Sequence, residues 1–306
     1  MSVKGKMRIL DNYSDQQERE LKQRLTKAYK RALEETTQEF SKVYQKYATG
    51  GKLTYTEMQK YGRLENLMQG IRKRFYELYE GNESIIVENL ENLFERNYYY
   101  TGYIMETEAQ MKLAFSMLDD EAIKRAIMNP ISGLTLPERL EKNRDQVIIK
   151  TREELTQGLI KGESYDKQAK RIKDVYEGDI NKAQTIAQTE NNRVRNEAKQ
   201  ASYDHAKKKG LNFDKVWVAT LDKDTRMEHA MLDGKKADED GFFHMSGAKA
   251  EYPGGFGVAR LDINCRCTTR VEFKNLPPES RKARESGQNK IIDYTTYENW
   301  KENRVF

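Results

Sequence analysis

The chain has 306 residues, 37% of them hydrophobic and 34% charged, with a mean hydropathy of −0.94. A compact globule averages about 45–50% apolar and 25% charged, so this balance excludes one thick core and favours thin helical layers with a large wetted surface. The 54 basic and 49 acidic residues leave a net charge of only +5, and the two signs are interspersed as on a solvated helix rather than gathered into the basic stripe of a dedicated nucleic-acid binder.

Met1 to Asp11 carries Lys4, Lys6 and Arg8 with no apolar run behind them, so a secretory leader is not expected. From Ser14 to about Ala48 the apolar residues Leu21, Leu25, Ala28, Ala32, Phe40, Val43 and Tyr47 recur at helical spacing. Gly50-Gly51 breaks this pattern. A second stripe, Met58, Tyr61, Leu64, Met68, Ile71, Phe75 and Leu78, is expected to end near Gly81, a natural helix C-terminus. A third runs through Ile86, Leu90, Leu93, Phe94, Ile104 and Met105. Asn129-Pro130 and Ser132-Gly133 mark a loop, after which Pro137 suits the first turn of a helix that carries Leu140, Val147, Ile148, Leu155 and Leu159 and stops at Gly162. A short helix is expected from Ser164 to about Tyr176, and Asp179 reads as the N-cap of the next, which ends at Gly210.

The period then changes. Val216 to Leu221 reads as a strand with Trp217, Ala219 and Leu221 on one face. Turns follow at Asp233-Gly234, Gly241 and Pro253-Gly254-Gly255. Cys265 to Phe273 alternates strictly, with Cys265, Cys267, Thr269, Val271 and Phe273 facing one way, as a half-buried strand does. Pro277-Pro278 closes the module, and Tyr294, Tyr297, Trp300 and Phe306 cluster in the tail. The predicted fold is mostly α: an extended helical N-terminal arm (1–178), a small α+β C-terminal module with short strands (179–273) and a polar C-terminal tail with an aromatic cluster (274–306). No run approaches the roughly 18 apolar residues of a membrane span.

Candidate chemistry gathers in the last third. Cys265 and Cys267, with His229 and Asp262, are residue types that can supply tetrahedral zinc ligands; no cofactor is expected, and a structural zinc is the one alternative these residues leave open. The competing reading makes both cysteines small core hydrophobes; the usual zinc spacing is C-x₂₋₄-C, and here C-x-C stands without a second cysteine pair. A disulfide between them is not expected, because residues two apart on a strand lie about 6.6 Å apart, near the upper limit for a bridge. Cys265 with His229, or Glu190 and Asp224 with His229, would need an orienting third group that the sequence does not place, so no catalytic residue is assigned. Asp224 is expected to cap a short helix, and Arg226, His229 and Asp233 to form an internal polar network. Lys207-Lys208-Lys209 suits a helix C-terminus, and Tyr98-Tyr99-Tyr100 suits packing between helices. There is no G-x-x-x-x-G-K-[ST], H-E-x-x-H or G-x-S-x-G.

Ile186-Ala187-Gln188-Thr189-Glu190, Arg193, Asn196, Trp217, Asp224-Thr225-Arg226, His229, Leu232-Asp233-Gly234, Pro253 and Asn264-Cys265-Arg266-Cys267 resemble, in order and spacing, the phage Mu F-like minor head proteins. These are also called phage head morphogenesis proteins, and the resemblance covers roughly Asp179 to Phe273. It implies a minor capsid protein of a tailed phage, made in the host cytoplasm and packaged in the capsid interior of the virion. The implied partners are the portal protein and capsid or scaffold proteins, in multiple copies per head, with non-specific contact to double-stranded DNA and an effect on its packaging or release. No catalytic activity follows from the family. Members often carry a histidine three residues before the first cysteine, where this chain has Asp262; a metal here would take a carboxylate or His244 instead. The rival readings are a metal-dependent hydrolase and a non-specific DNA-binding protein of the capsid interior.

Overall fold

The computed structural model describes residues 3–115, 118–273, 280–285 and 288–293. These fall into two compact units: residues up to Glu18, Leu90–Gly133 and from Gln188 onward form one, and Arg19–Asn89 with Leu134–Ala187 form the other.

Helix α1 (Val3–Tyr47) ends where Gly50 and Gly51 take positive φ, and the Tyr44 hydroxyl donates to the Gly51 carbonyl at 2.7 Å. After the short α2 (Tyr55–Gln59) a 3₁₀ turn leads into α3 (Arg63–Ala109). The expected stop at Gly81 does not occur. Leu78, Tyr79, Ile86, Leu90, Leu93 and Phe94 are all buried, so the apolar stripe continues past Gly81, which is exposed, and packing outweighs its intrinsic cost of about 1 kcal/mol. The short α4 (Asp120–Met128) precedes the 129–133 loop. Helix α5 (Leu136–Ile160) starts as expected: Glu138 accepts both the backbone N–H and the hydroxyl of Thr135, Pro137 lies in the first turn, and Gly162 follows the end at φ +58°.

One continuous helix, α6 (Tyr165–Lys208), replaces the expected pair, and its last turn carries Lys207 and Lys208. Asp179 is therefore not an N-cap. It lies on the stripe of Ile172, Val175, Tyr176, Ala183 and Ala187, buried with them, because its carboxylate finds donors in the interior. It accepts hydrogen bonds from Tyr29 Oη at 2.8 Å, Tyr79 Oη at 2.8 Å and Asn143 Nδ2 at 2.8 Å. The same unit stacks Phe40 on Tyr165 and Phe75 on Tyr176, with ring centroids 5.8 and 4.9 Å apart.

In the other unit, β1 (Asp214–Val218) pairs antiparallel with β4 (Thr268–Glu272), Trp217 opposite Thr269. β1 starts two residues earlier than expected and both its faces are covered, since Val216 and Lys215 are buried as well as Trp217. Its other edge exchanges backbone bonds with 234–237, among them Trp217 N–H to the Lys235 carbonyl. Lys215 is tolerated because Nζ donates to Gln200 Oε1 and the Glu251 carbonyl, both at 2.7 Å; burial pushes its amine down to about 8. A second small pair joins β2 (Phe243–Met245) to β3 (Ala248–Ala250). Helices α7 (Met227–Ala230) and α8 (Ala259–Asp262) are single turns. The core gathers Trp217, Ala219, Leu232, Phe243, Met245, Phe256, Leu261, Cys265 and Cys267. The expected 265–273 strand pairs only over β4, yet burial alternates from Cys265 through Arg270, three residues ahead of the ladder.

Within the stretch read as a polar tail, β5 (Ser280–Glu285) and β6 (Gln288–Asp293) pair antiparallel. Pro277-Pro278 and the cluster of Tyr294, Tyr297, Trp300 and Phe306 lie outside the described residues. Among those described, no helix is long and apolar enough to cross a membrane.

Candidate functional site

Three of the four candidate metal residues converge. His229 comes from the single turn α7, Cys265 and Cys267 from the segment entering β4, and their ligand atoms all lie within 4.8 Å of one another. His229 Nδ1 is 3.4 Å from Cys267 Sγ and 3.6 Å from Cys265 Sγ. The three side chains are buried, at 2%, 2% and 3% exposure for His229, Cys265 and Cys267, and Trp217 meets the imidazole edge-on with centroids 6.0 Å apart. Both cysteines are free thiols.

Arg226 sets the tautomer. Its Nη2 is 3.3 Å from His229 Nε2, and since a guanidinium only donates, Nε2 accepts and the imidazole proton sits on Nδ1, aimed at the sulfurs. The same guanidinium donates to the carbonyls of Leu261 and Ile263, both at 2.9 Å, and so holds the turn that delivers the cysteines. The contact with Cys267, together with burial, pushes the Cys265 thiol up. The hydrogen bonds that Cys267 receives from Cys265 and from His229 hold its thiol down.

Asp262 does not join this group. Its carboxylate accepts the backbone N–H groups of Phe256 at 3.2 Å and Val258 at 3.0 Å, and burial pushes its acid up. His244 stands apart on β2, exposed, with Nε2 2.6 Å from Asp238 Oδ2; that hydrogen bond holds the Asp238 carboxyl down. The expected network is realised in part: Arg226 meets His229, while Asp233 accepts the Ala219 N–H at 2.8 Å. Asp224 does not cap α7, whose N-cap is Arg226. Its own N–H donates to Asp222 Oδ1, and Asp222 also takes the Arg266 fork. Two aspartates two residues apart offer the same local signal, and the more buried one holds the turn. The Tyr98–Tyr100 run is packing, as expected: Tyr98 meets Tyr99 and Phe115 edge-on, and Tyr99 Oη accepts the Leu118 N–H.

A second polar centre was not visible beforehand. Arg193, 1% exposed, places all five guanidinium donors. Nε and Nη2 reach Glu190 at 3.0 and 2.7 Å, Nη1 reaches Glu197 at 2.7 Å, and Nη1 and Nη2 reach the carbonyls of Ala126 at 2.6 Å and Ile127 at 3.0 Å. Burial pushes the Glu197 acid up in spite of that cation. The advance signs were Glu190 and Arg193 at helical i,i+3 spacing and their place among the residues that carry the family resemblance, neither of which points to the carbonyls. Gly254, at φ +89°, closes against this arginine, and a Cβ there would lie 3.1 Å from Arg193 Cα. Gly254→Ala is expected to cost about 1–2 kcal/mol, from left-handed strain plus the close approach, read as a lower urea midpoint at unchanged slope.

Residues 149–270, which include His229, Cys265 and Cys267 and also Arg193 with Glu190 and Glu197, match the family described as phage Mu protein F like protein. The chain is 34% identical over 297 residues to the minor head protein GP7 of Bacillus phage SPP1, covering 96% of each protein. It is also 35% identical over 211 residues to the NAD(+)–arginine ADP-ribosyltransferase EFV of Enterococcus faecalis (strain ATCC 700802 / V583). That match covers 69% of this chain and 43% of the other. No solved structure matches.

Proposed function

Since the chain belongs to the phage Mu protein F like family, as a homologue of a tailed-phage minor head protein with a role in head morphogenesis, we propose that it is packaged inside the procapsid in association with the portal. The observation that carries this reading is the end-to-end match to the SPP1 minor head protein, 96% of both chains, which takes in the helices as well as the module. Capsid and scaffold proteins are the further partners, the capsid interior of the virion is its place, and the host cytoplasm is where it is made.

Its work is structural rather than catalytic. The match to the ADP-ribosyltransferase takes in only 43% of that protein, so more than half of the enzyme has no counterpart in the aligned region. The imidazole and thiols of this chain are buried beyond the reach of a substrate, which suits a packed centre better than a hydrolase. Contact with double-stranded DNA is weak and non-specific, because many surface cations are already matched to acids: Arg72 to Glu65, Lys73 to Glu77, Arg171 to Glu154 and Glu163, Lys173 to Glu177.

Co-expression with the portal, scaffold and major shell proteins of its own phage tests the proposal. The chain is expected in purified procapsids, protected from added protease, and at least about tenfold depleted when the portal gene is omitted, as when an anchor with several kcal/mol of binding energy is removed. Equal amounts with and without the portal, or no incorporation at all, would overturn it.

A further inference from the structure

We propose that His229, Cys265 and Cys267 form a zinc site that cross-links the α7 turn to the segment entering β4. The inference is independent of the head-assembly reading and stands on four observations. First, the distances fit. Tetrahedral zinc with bonds of about 2.3 Å to sulfur and 2.0–2.1 Å to nitrogen separates those ligands by about 3.5–3.6 Å; here the two N···S separations are 3.4 and 3.6 Å.

Second, the donor set is selective. Two thiolates and an imidazole favour a borderline-soft ion such as zinc over magnesium or calcium, which take oxygen ligands. Third, the charge balances: one Zn²⁺ and two thiolates with a neutral imidazole sum to zero. A neutral cluster is what an apolar surround of Trp217, Phe243, Leu261 and Phe256 tolerates. Fourth, the two elements that bring the ligands are already held against each other, since Arg226 is the N-cap of α7. Arg226 fixes the 261–263 turn ahead of the cysteines, and Asn196 Nδ2 donates to the Cys267 carbonyl at 3.0 Å, fixing the second cysteine's backbone.

Loading the site releases both thiol protons to solvent and shifts the imidazole proton from Nδ1 to Nε2, which frees the Nδ1 lone pair for the metal. Arg226 then loses its acceptor on Nε2 and keeps its two carbonyls. Among the described His, Cys, Asp and Glu side chains, none adds a fourth ligand atom within the same reach.

The test uses the untagged full-length chain purified without chelator. Elemental analysis is expected to find about one zinc per chain, and Cys265→Ser, Cys267→Ser and His229→Asn are each expected to lose it. Where a variant fails to fold, the wild-type protein decides: stripped with a strong chelator and given zinc chloride alone, it should rebind zinc and raise its melting temperature by roughly 5 °C or more. Two results overturn the proposal. One is a stripped chain that neither binds added zinc nor changes its melting curve. The other is folded cysteine variants that keep full zinc content.

Discussion

Arg193→Met is expected to destabilise the protein by about 3–5 kcal/mol, the usual penalty for removing one partner of a buried ion pair. Arg193 is 1% exposed and Glu190 is fully buried, so the substitution leaves the carboxylate in the interior without the guanidinium that faces it at 2.7 Å. It also removes the donors on the Ala126 and Ile127 carbonyls in the last turn of α4. The check is a urea titration followed by circular dichroism, which should show a lower midpoint. Adding Glu190→Gln to Arg193→Met should recover about 1–2 kcal/mol, because the stranded charge is gone. An Arg193→Met protein as stable as wild type would mean that the fork contributes nothing net.

Asp179→Leu is expected to cost about 2–4 kcal/mol, since the hydroxyls of Tyr29 and Tyr79 and the amide of Asn143 lose a shared buried acceptor. The carboxylate carries a pH signature as well. Burial pushes its pKa above the ordinary value of 3.8, against the pull of the donors Tyr79, Tyr29 and Asn143 and of nearby Lys182. The folded state therefore takes up a proton that the unfolded chain releases. The stability that comes with the protonated form is present at low pH and is lost as pH rises through the folded-state value. Asp179→Asn cannot titrate, and subtracting it cancels every other group. The stability of wild type minus that of Asp179→Asn should shift in favour of wild type as pH falls from neutral toward 4, measured by denaturant titration at each pH. A flat difference would mean that the folded state leaves this acid unperturbed.

Apolar spacing exposed the helical stripes because it reports burial directly, and so α1, α5 and the switch to strands near residue 214 were legible. Gly81 and Asp179 were misread for one reason. Each carries a local end-of-helix signal, Gly81 on the exposed side of α3 and Asp179 on the buried stripe of α6, and in both helices the buried neighbours continue past it. At the candidate site the C-x-C alternation exposed the shared inward face of both thiols, although regular pairing begins only at Thr268. Arg193 was illegible because its carbonyl partners, Ala126 and Ile127, are 67 and 66 residues away. No local rule links a guanidinium to backbone oxygens at that separation. The misreading of Asp224 as a helix cap arose from the opposite limit: Asp222, two residues earlier, offers the same local signal, and the position of Arg266 favours it.

The buried acceptor Asp179 also constrains the alignment of the four long helices around it. Asp179 on α6 takes one donor from each of α1, α3 and α5. Leucines, alanines and valines pack almost equally well after a helix slides by one turn, about 5.4 Å along its axis. Such a slide would carry a donor out of reach and strand it in the interior, so this single side chain admits one registration of the four helices and penalises its neighbours.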